Sequence, residues 1–179
     1  MDEIEMQRFL AELYQDRANP NAQSVDFYLS KMHVLAENQY QPAIPFFLEG
    51  LDDPRWDWRV DSLSALGFHY TFPANSPVIE RIRQLLRNDP DDGVRSSAAW
   101  VLSAQKHWPE PTLLDALQKD PSQLVRESCF GAILRLLGVP PVIQLEKSEE
   151  VKSKRLEPTW DEIQRIAATY GDLPHLPSK

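Results

Sequence analysis

Four histidines, one cysteine and several neighbouring carboxylates are the residues of this 179-residue chain that could do chemistry. His33, His69, His107 and His175 are scattered, with no His-x-x-x-His pair to seat a metal on one helical face. His33 and Glu37 do share a face, but two ligands without a third make a surface pair and not a metal site. Asp89-Pro90-Asp91-Asp92-Gly93 is rich in acid yet lacks the spacing and closing glutamate of a calcium loop. Cys129 is the sole cysteine, which excludes an internal disulfide; beside Phe130 in a helical stretch it reads as a small buried hydrophobe. No Gly-x-Ser-x-Gly elbow and no phosphate-cradling glycine loop occurs among the six glycines. The expectation is a chain without catalytic residues, metal or cofactor.

A different pattern does recur. Asp-Pro followed by Arg six residues after the Asp appears as Asp53-Pro54…Arg59, Asp89-Pro90…Arg95 and Asp120-Pro121…Arg126, at spacings of 36 and 31 residues. Each copy follows one apolar helical stretch and opens another, so the chain reads as stacked helix pairs. The aspartates are placed to close or cap the turn, and the arginines to bond that turn or a neighbouring repeat, forming a structural ladder.

Around this pattern the first helices of the pairs are expected at 42–51, 77–87 and 111–118. Pro42, Pro77 and Pro111 stand at their starts, where a missing N–H costs nothing, and Ser76 is placed to cap the second. The second helices are expected at 56–69, 93–106 and 123–137. Aligned on the repeated Arg, their inner positions step by four: Trp58, Ser62, Leu66; Val94, Ala98, Leu102; Val125, Cys129, Ile133. Of Trp56 and Trp58, one enters the core. No strand alternation or hairpin signal appears, so the fold class is all-α, an α-solenoid of about three helix pairs.

Two further helices precede the array within residues 1–41 and act as a cap. One spans 2–17, with Ile4, Met6, Phe9, Leu10 and Leu13 near one stripe. The other spans 24–38, with Ser24 as cap and Val25, Tyr28, Leu29, Met32 and Leu35 inward. The array proper covers 42–138. Beyond it, Pro140-Pro141 and the mixed charges to Arg155 read as a linker or strap over 138–158. A last helix opens at Thr159, where Thr159-Trp160-Asp161-Glu162 matches a capping box, and Pro174 and Pro177 mark a tail.

Asp89-Pro90…Val94-Arg95…Ala98-Ala99…Leu102 resembles the short HEAT-like repeat of the phycobilisome-lyase type, and Asp120-Pro121…Val125-Arg126…Leu134 is similar. The first copy departs in carrying Trp58 where the pattern has Val, although Arg59, Ala65, Leu66 and Gly67 fit. The resemblance implies a protein-binding scaffold, since most such repeats serve as one, and it implies the alternative of an accessory protein for bilin attachment.

In such an array the second helices line the concave face, where a partner is expected to bind. Ser64, Phe68, Ser96, Trp100, Ser103, Glu127, Gly131 and Arg135 fall between the buried positions, and Trp100 is the candidate anchor. Tyr70 and His107 belong to aromatic clusters, Phe68 to Phe72 and His107-Trp108, at one edge of the stack, where loop packing competes with partner contact. Net charge is −8, and residues 1–57 alone hold eleven acidic and four basic side chains. That excess points away from nucleic acid and towards a basic protein surface. No apolar run is long enough to cross a bilayer and the start is acidic, so a cytoplasmic location is expected. The reading is a non-enzymatic interaction module of the adaptor, inhibitor or immunity-protein kind.

Overall fold

A computed structural model describes residues 1–19 and 31–171. Among these residues there are ten α-helices and no strand, and helices adjacent in sequence pack in pairs, the all-α solenoid class expected. By its contacts the chain divides into two compact units, Met1–Pro73 and Ala74–Lys179. The division falls inside the expected 42–138 array, between its first and second helix pairs.

In the first unit, α1 (Glu3–Ala18) starts at Asp2, whose Oδ1 accepts from the Glu5 N–H at 2.8 Å in a capping box. Of its apolar stripe only Leu13 is buried, and Ile4 is 78% exposed. The helix α2 (Lys31–Glu37) buries Met32, Leu35 and Ala36, while Ser24, Val25, Tyr28 and Leu29 of the expected helix lie outside the described residues. Pro42 does not open the next helix. It sits in a short 3-10 turn, Gln41–Ala43, and α3 (Ile44–Gly50) follows with Pro45 in its first turn. The helix α4 (Trp56–His69) packs on α2 and α3. Trp58 enters the core beside Phe46, ring centroids 6.2 Å apart, and Trp56 stays exposed. Gly50 is required where α3 meets α4: a Cβ there would stand 2.0 Å from the Ser62 hydroxyl.

The second unit holds two helix pairs, α5 (Pro77–Asn88) with α6 (Asp92–Ala104) and α7 (Pro111–Lys119) with α8 (Gln123–Leu136). Prolines open α5 and α7 as expected, and the Ser76 hydroxyl accepts from the Ile79 N–H at 3.3 Å. The second helices α6 and α8 pack most extensively, through Val94, Ala98, Leu102, Val125, Cys129 and Ile133, all buried. Residues 138–158 are not a strap. They contain α9 (Pro141–Lys152), which packs on α8 and buries Val151. Pro141 occupies the first turn, where it breaks no hydrogen bond, and Lys147 with Glu150 and Lys152 with Glu149 pair one turn apart, each at 3.0 Å. Finally α10 (Trp160–Tyr170) starts at the expected Thr159 cap and packs on α7 and α8. Pro174, His175 and Pro177 lie outside the described residues.

The repeated Asp-Pro turn has one geometry in all three copies. The aspartate accepts from the backbone N–H two residues on: Arg55 at 3.0 Å, Asp91 at 3.0 Å and Ser122 at 2.9 Å. The arginine turns back, and its Nη1 donates to both carbonyls of the turn. Those distances are 2.8 and 3.1 Å for Arg59, 2.9 and 3.4 Å for Arg95, and 2.6 and 3.2 Å for Arg126. Arg95 then uses its other edge between repeats: Nε and Nη2 donate to the two Asp120 oxygens at 2.9 and 3.0 Å. A second fork, Arg83 to buried Glu110 at 3.0 and 2.8 Å, ties α5 to the start of α7.

Candidate partner-binding groove

Small residues let α6 and α8 approach closely. The Ser96 and Ser128 hydroxyls share a hydrogen bond of 2.7 Å across the pair. One turn further, Trp100 of α6 faces Gly131 of α8, where an added Cβ would stand 2.6 Å from the indole Cη2. Glycine is therefore needed there by the width of the ring. The helix α9 forms a further wall with Pro141, Gln144, Leu145 and Ser148, and together the three helices enclose an open groove of about 450 Å³.

The groove is mostly apolar. Half-buried Trp100 lines it, Leu124 is 47% exposed and Leu145 is 64% exposed. Glu127 and Lys152 bring one charge of each sign, and Gln144 is oriented by donating to the Val139 carbonyl at 2.6 Å. The lining has no histidine, no cysteine and only one carboxylate, so it is equipped to hold an apolar side chain between polar contacts.

Of the expected contact residues, Ser96, Trp100 and Glu127 come together in this groove. Trp100 rests on Gly131 of the next repeat and lines the open groove. Gly131 is buried beneath it, so it shapes the site without being offered to a partner. Ser103 is also buried, because its hydroxyl folds back to the Trp100 carbonyl at 2.7 Å. Tyr70 is buried too: its hydroxyl donates to the Tyr40 carbonyl at 3.1 Å, and burial pushes its pKa up to about 12. Gly131 and Ser103 are corrected from exposed to interior, and Tyr70 is packed inside, away from partner contact. Ser64 and His107 are half-buried, while Phe68 and Arg135 are exposed, none of the four lining the groove. Trp108 stacks on Trp160 with centroids 6.4 Å apart, the loop-packing outcome for that cluster.

A family model described as HEAT repeats matches residues 44–133, half of the chain. The chain belongs to the HEAT-repeat family. Neither the curated proteins nor the solved structures compared with it contain a match. The HEAT match runs from the start of α3 into α8, so it includes all three Asp-Pro turns, and α9 brings its wall of the groove from outside the matched repeats. Sequence reasoning missed Leu124, Leu145 and Lys152. The signal for α9 was the proline at its start, the same mark that opens α5 and α7, with Val142 and Leu145 three residues apart behind it.

Chemistry elsewhere in this HEAT chain is sparse. His33 Nε2 lies 3.1 Å from Glu37, and the His69 ring stands 5.4 Å from that of His33. Among the described residues no group of three His, Cys, Asp or Glu is arranged to hold a metal ion. Burial pushes the Cys129 thiol well above its ordinary pKa, leaving a packed side chain and not a nucleophile. Among the described residues no helix is long and apolar enough to cross a membrane.

Proposed function

We propose that the protein is a non-enzymatic interaction module that seats a segment of a partner protein in the groove between α6, α8 and α9. HEAT repeats generally bind other proteins. The observation that carries the reading is Trp100, a large aromatic held by Gly131 at the wall of an open apolar groove. A rigid aromatic at the centre of a concavity is the usual form of an interface anchor. The acidic 1–57 stretch favours a partner with a basic surface, as an adaptor, inhibitor or immunity-type protein would meet, in a cytoplasmic setting.

The test is affinity capture from native extract with the parent, Trp100→Ala and Arg135→Ala, the last exposed and away from the groove. Trp100→Ala is expected to weaken capture by about 2 kcal/mol, on the order of 30-fold, while Arg135→Ala leaves it unchanged. Undiminished capture by a folded Trp100→Ala protein would reject the groove.

A further inference from the structure

The three repeated arginines share one tether but not one outcome at their other edge. Arg95 is the template: with Nη1 fixed to the turn carbonyls, Nε and Nη2 hold the Asp120 carboxylate of the following repeat in a bidentate grip. Arg126 repeats the tether, Nη1 to the Asp120 and Pro121 carbonyls, and its Nε and Nη2 edge finds no acceptor among the described residues. Arg126 also lines a cleft of about 430 Å³. Its walls include Leu117 beside Arg126, and Glu157, Asp161 and Trp160 of the α9–α10 connection and α10.

We propose that this cleft is a receptor for an aspartate or glutamate side chain presented by a protein partner, gripped by the outer edge of Arg126 as Asp120 is gripped by Arg95. Three observations carry it. The guanidinium is already held by two carbonyls, so little side-chain freedom is lost when a carboxylate arrives. Its Nε and Nη2 edge is the planar pair of donors that matches a carboxylate bidentately. Glu157 and Asp161 line the same cleft and repel a multiply charged anion such as phosphate more than a single carboxylate, so the acidic side chain is one with a neutral or basic neighbour. A second copy of this chain is a poor occupant through its own first repeat. There Asp53 is already held by Arg55, whose Nε and Nη2 donate to its two oxygens at 2.9 Å each. The site is separate from the groove: Arg126 does not line that groove, and none of the groove's residues lines this cleft.

The test follows the Arg126 Nε–H and Trp160 indole N–H resonances of the full chain during titration with an amide-capped acetyl-Asp-Pro peptide. Both are expected to shift saturably and to return as salt is added. The Asn-Pro counterpart is expected to bind at least about tenfold more weakly, as loss of a charged partner requires. In Arg126→Gln the Trp160 shift should vanish while melting shows the chain folded. The Asp and Asn comparison needs no variant, so it stands even if Arg126→Gln unfolds. Equal responses to the two peptides, no response to either, or a Trp160 shift that survives in Arg126→Gln would overturn the proposal. A stronger response to inorganic phosphate, or to a peptide whose only carboxylate is its chain terminus, would overturn the assignment to an acidic side chain. Retained capture through the groove in that case would leave the groove reading standing.

Discussion

Replacing Arg95 by alanine separates what the ladder does between repeats from what it does within one. The side chain is 11% exposed and that of its partner Asp120 is 7% exposed. Removing one member of a buried pair strands the other charge, a loss of about 3–5 kcal/mol. Asp120 keeps its bond from the Ser122 N–H at 2.9 Å, so the lower end, about 3 kcal/mol, is expected. Arg126→Ala is the internal control, because it loses the same two carbonyl bonds and no ion pair. Its expected loss is about 1.5 kcal/mol. In calorimetry the first substitution should lower Tm by on the order of 10 °C and the second by about half that. Urea unfolding with and without Asp120→Asn then isolates the pair as a coupling energy. Partner capture per folded molecule should not change, since Arg95 does not line the groove. Equal losses from the two alanine variants would refute the assignment, because the inter-repeat fork would then contribute nothing measurable.

Gly50→Ala should destabilise by about 2 kcal/mol, and adding Ser62→Ala should recover part of it by removing the hydroxyl that a Cβ would strike. Gly131→Leu should drive the Trp100 ring out of place and reduce capture at least as much as Trp100→Ala, read against a melting curve for each variant. Burial lowers the His69 pKa below its ordinary 6.5, the charge of His33 lowers it further, and Glu37 partly opposes both. The unfolded chain therefore takes up that proton first, so the stability at stake is present above pH 6.5 and is lost as pH falls through 6.5 towards the lowered folded value. Urea midpoints of the parent and His69→Gln across that window should converge on acidification, and parallel curves would contradict the assignment. Mixing the protein with a bilin should leave the absorption band unchanged, since neither Phe68 nor buried Tyr70 lines the groove with Trp100 to stack a tetrapyrrole; a shifted band would favour the bilin-accessory alternative.

Most of the architecture could be read from residue types because the repeat states its own geometry. Asp at the turn, Pro after it and Arg six residues on from the Asp are each used for what their chemistry allows, and Ser76 and Thr159 cap the helices they precede. The groove was half legible. Trp100 and Gly131 are 31 residues apart, the spacing of the second and third repeats, so a large residue stands opposite a small one at equivalent positions. What escaped was long-range. Tyr70 is buried because Tyr40 offers a carbonyl thirty residues away, and no local pattern carries that. The helix α9 escaped because its charges resemble a solvated linker until Val151 is seen buried. The Arg83–Glu110 fork joins residues with no shared motif.

The Asp-Pro connections are three residues long at 89–91 and 120–122 and five at 51–55, and the connections from second to first helices are seven residues at 70–76 and six at 105–110. Arg83 spans both of the longer connections, donating to the Ala74 carbonyl at 3.1 Å in one and to the Glu110 carboxylate in the other. An engineer who wished to splice in an epitope or a fluorescent tag would choose Lys106, exposed within 105–110, and avoid Glu110, which Arg83 holds, and Trp108, whose indole is committed to Trp160.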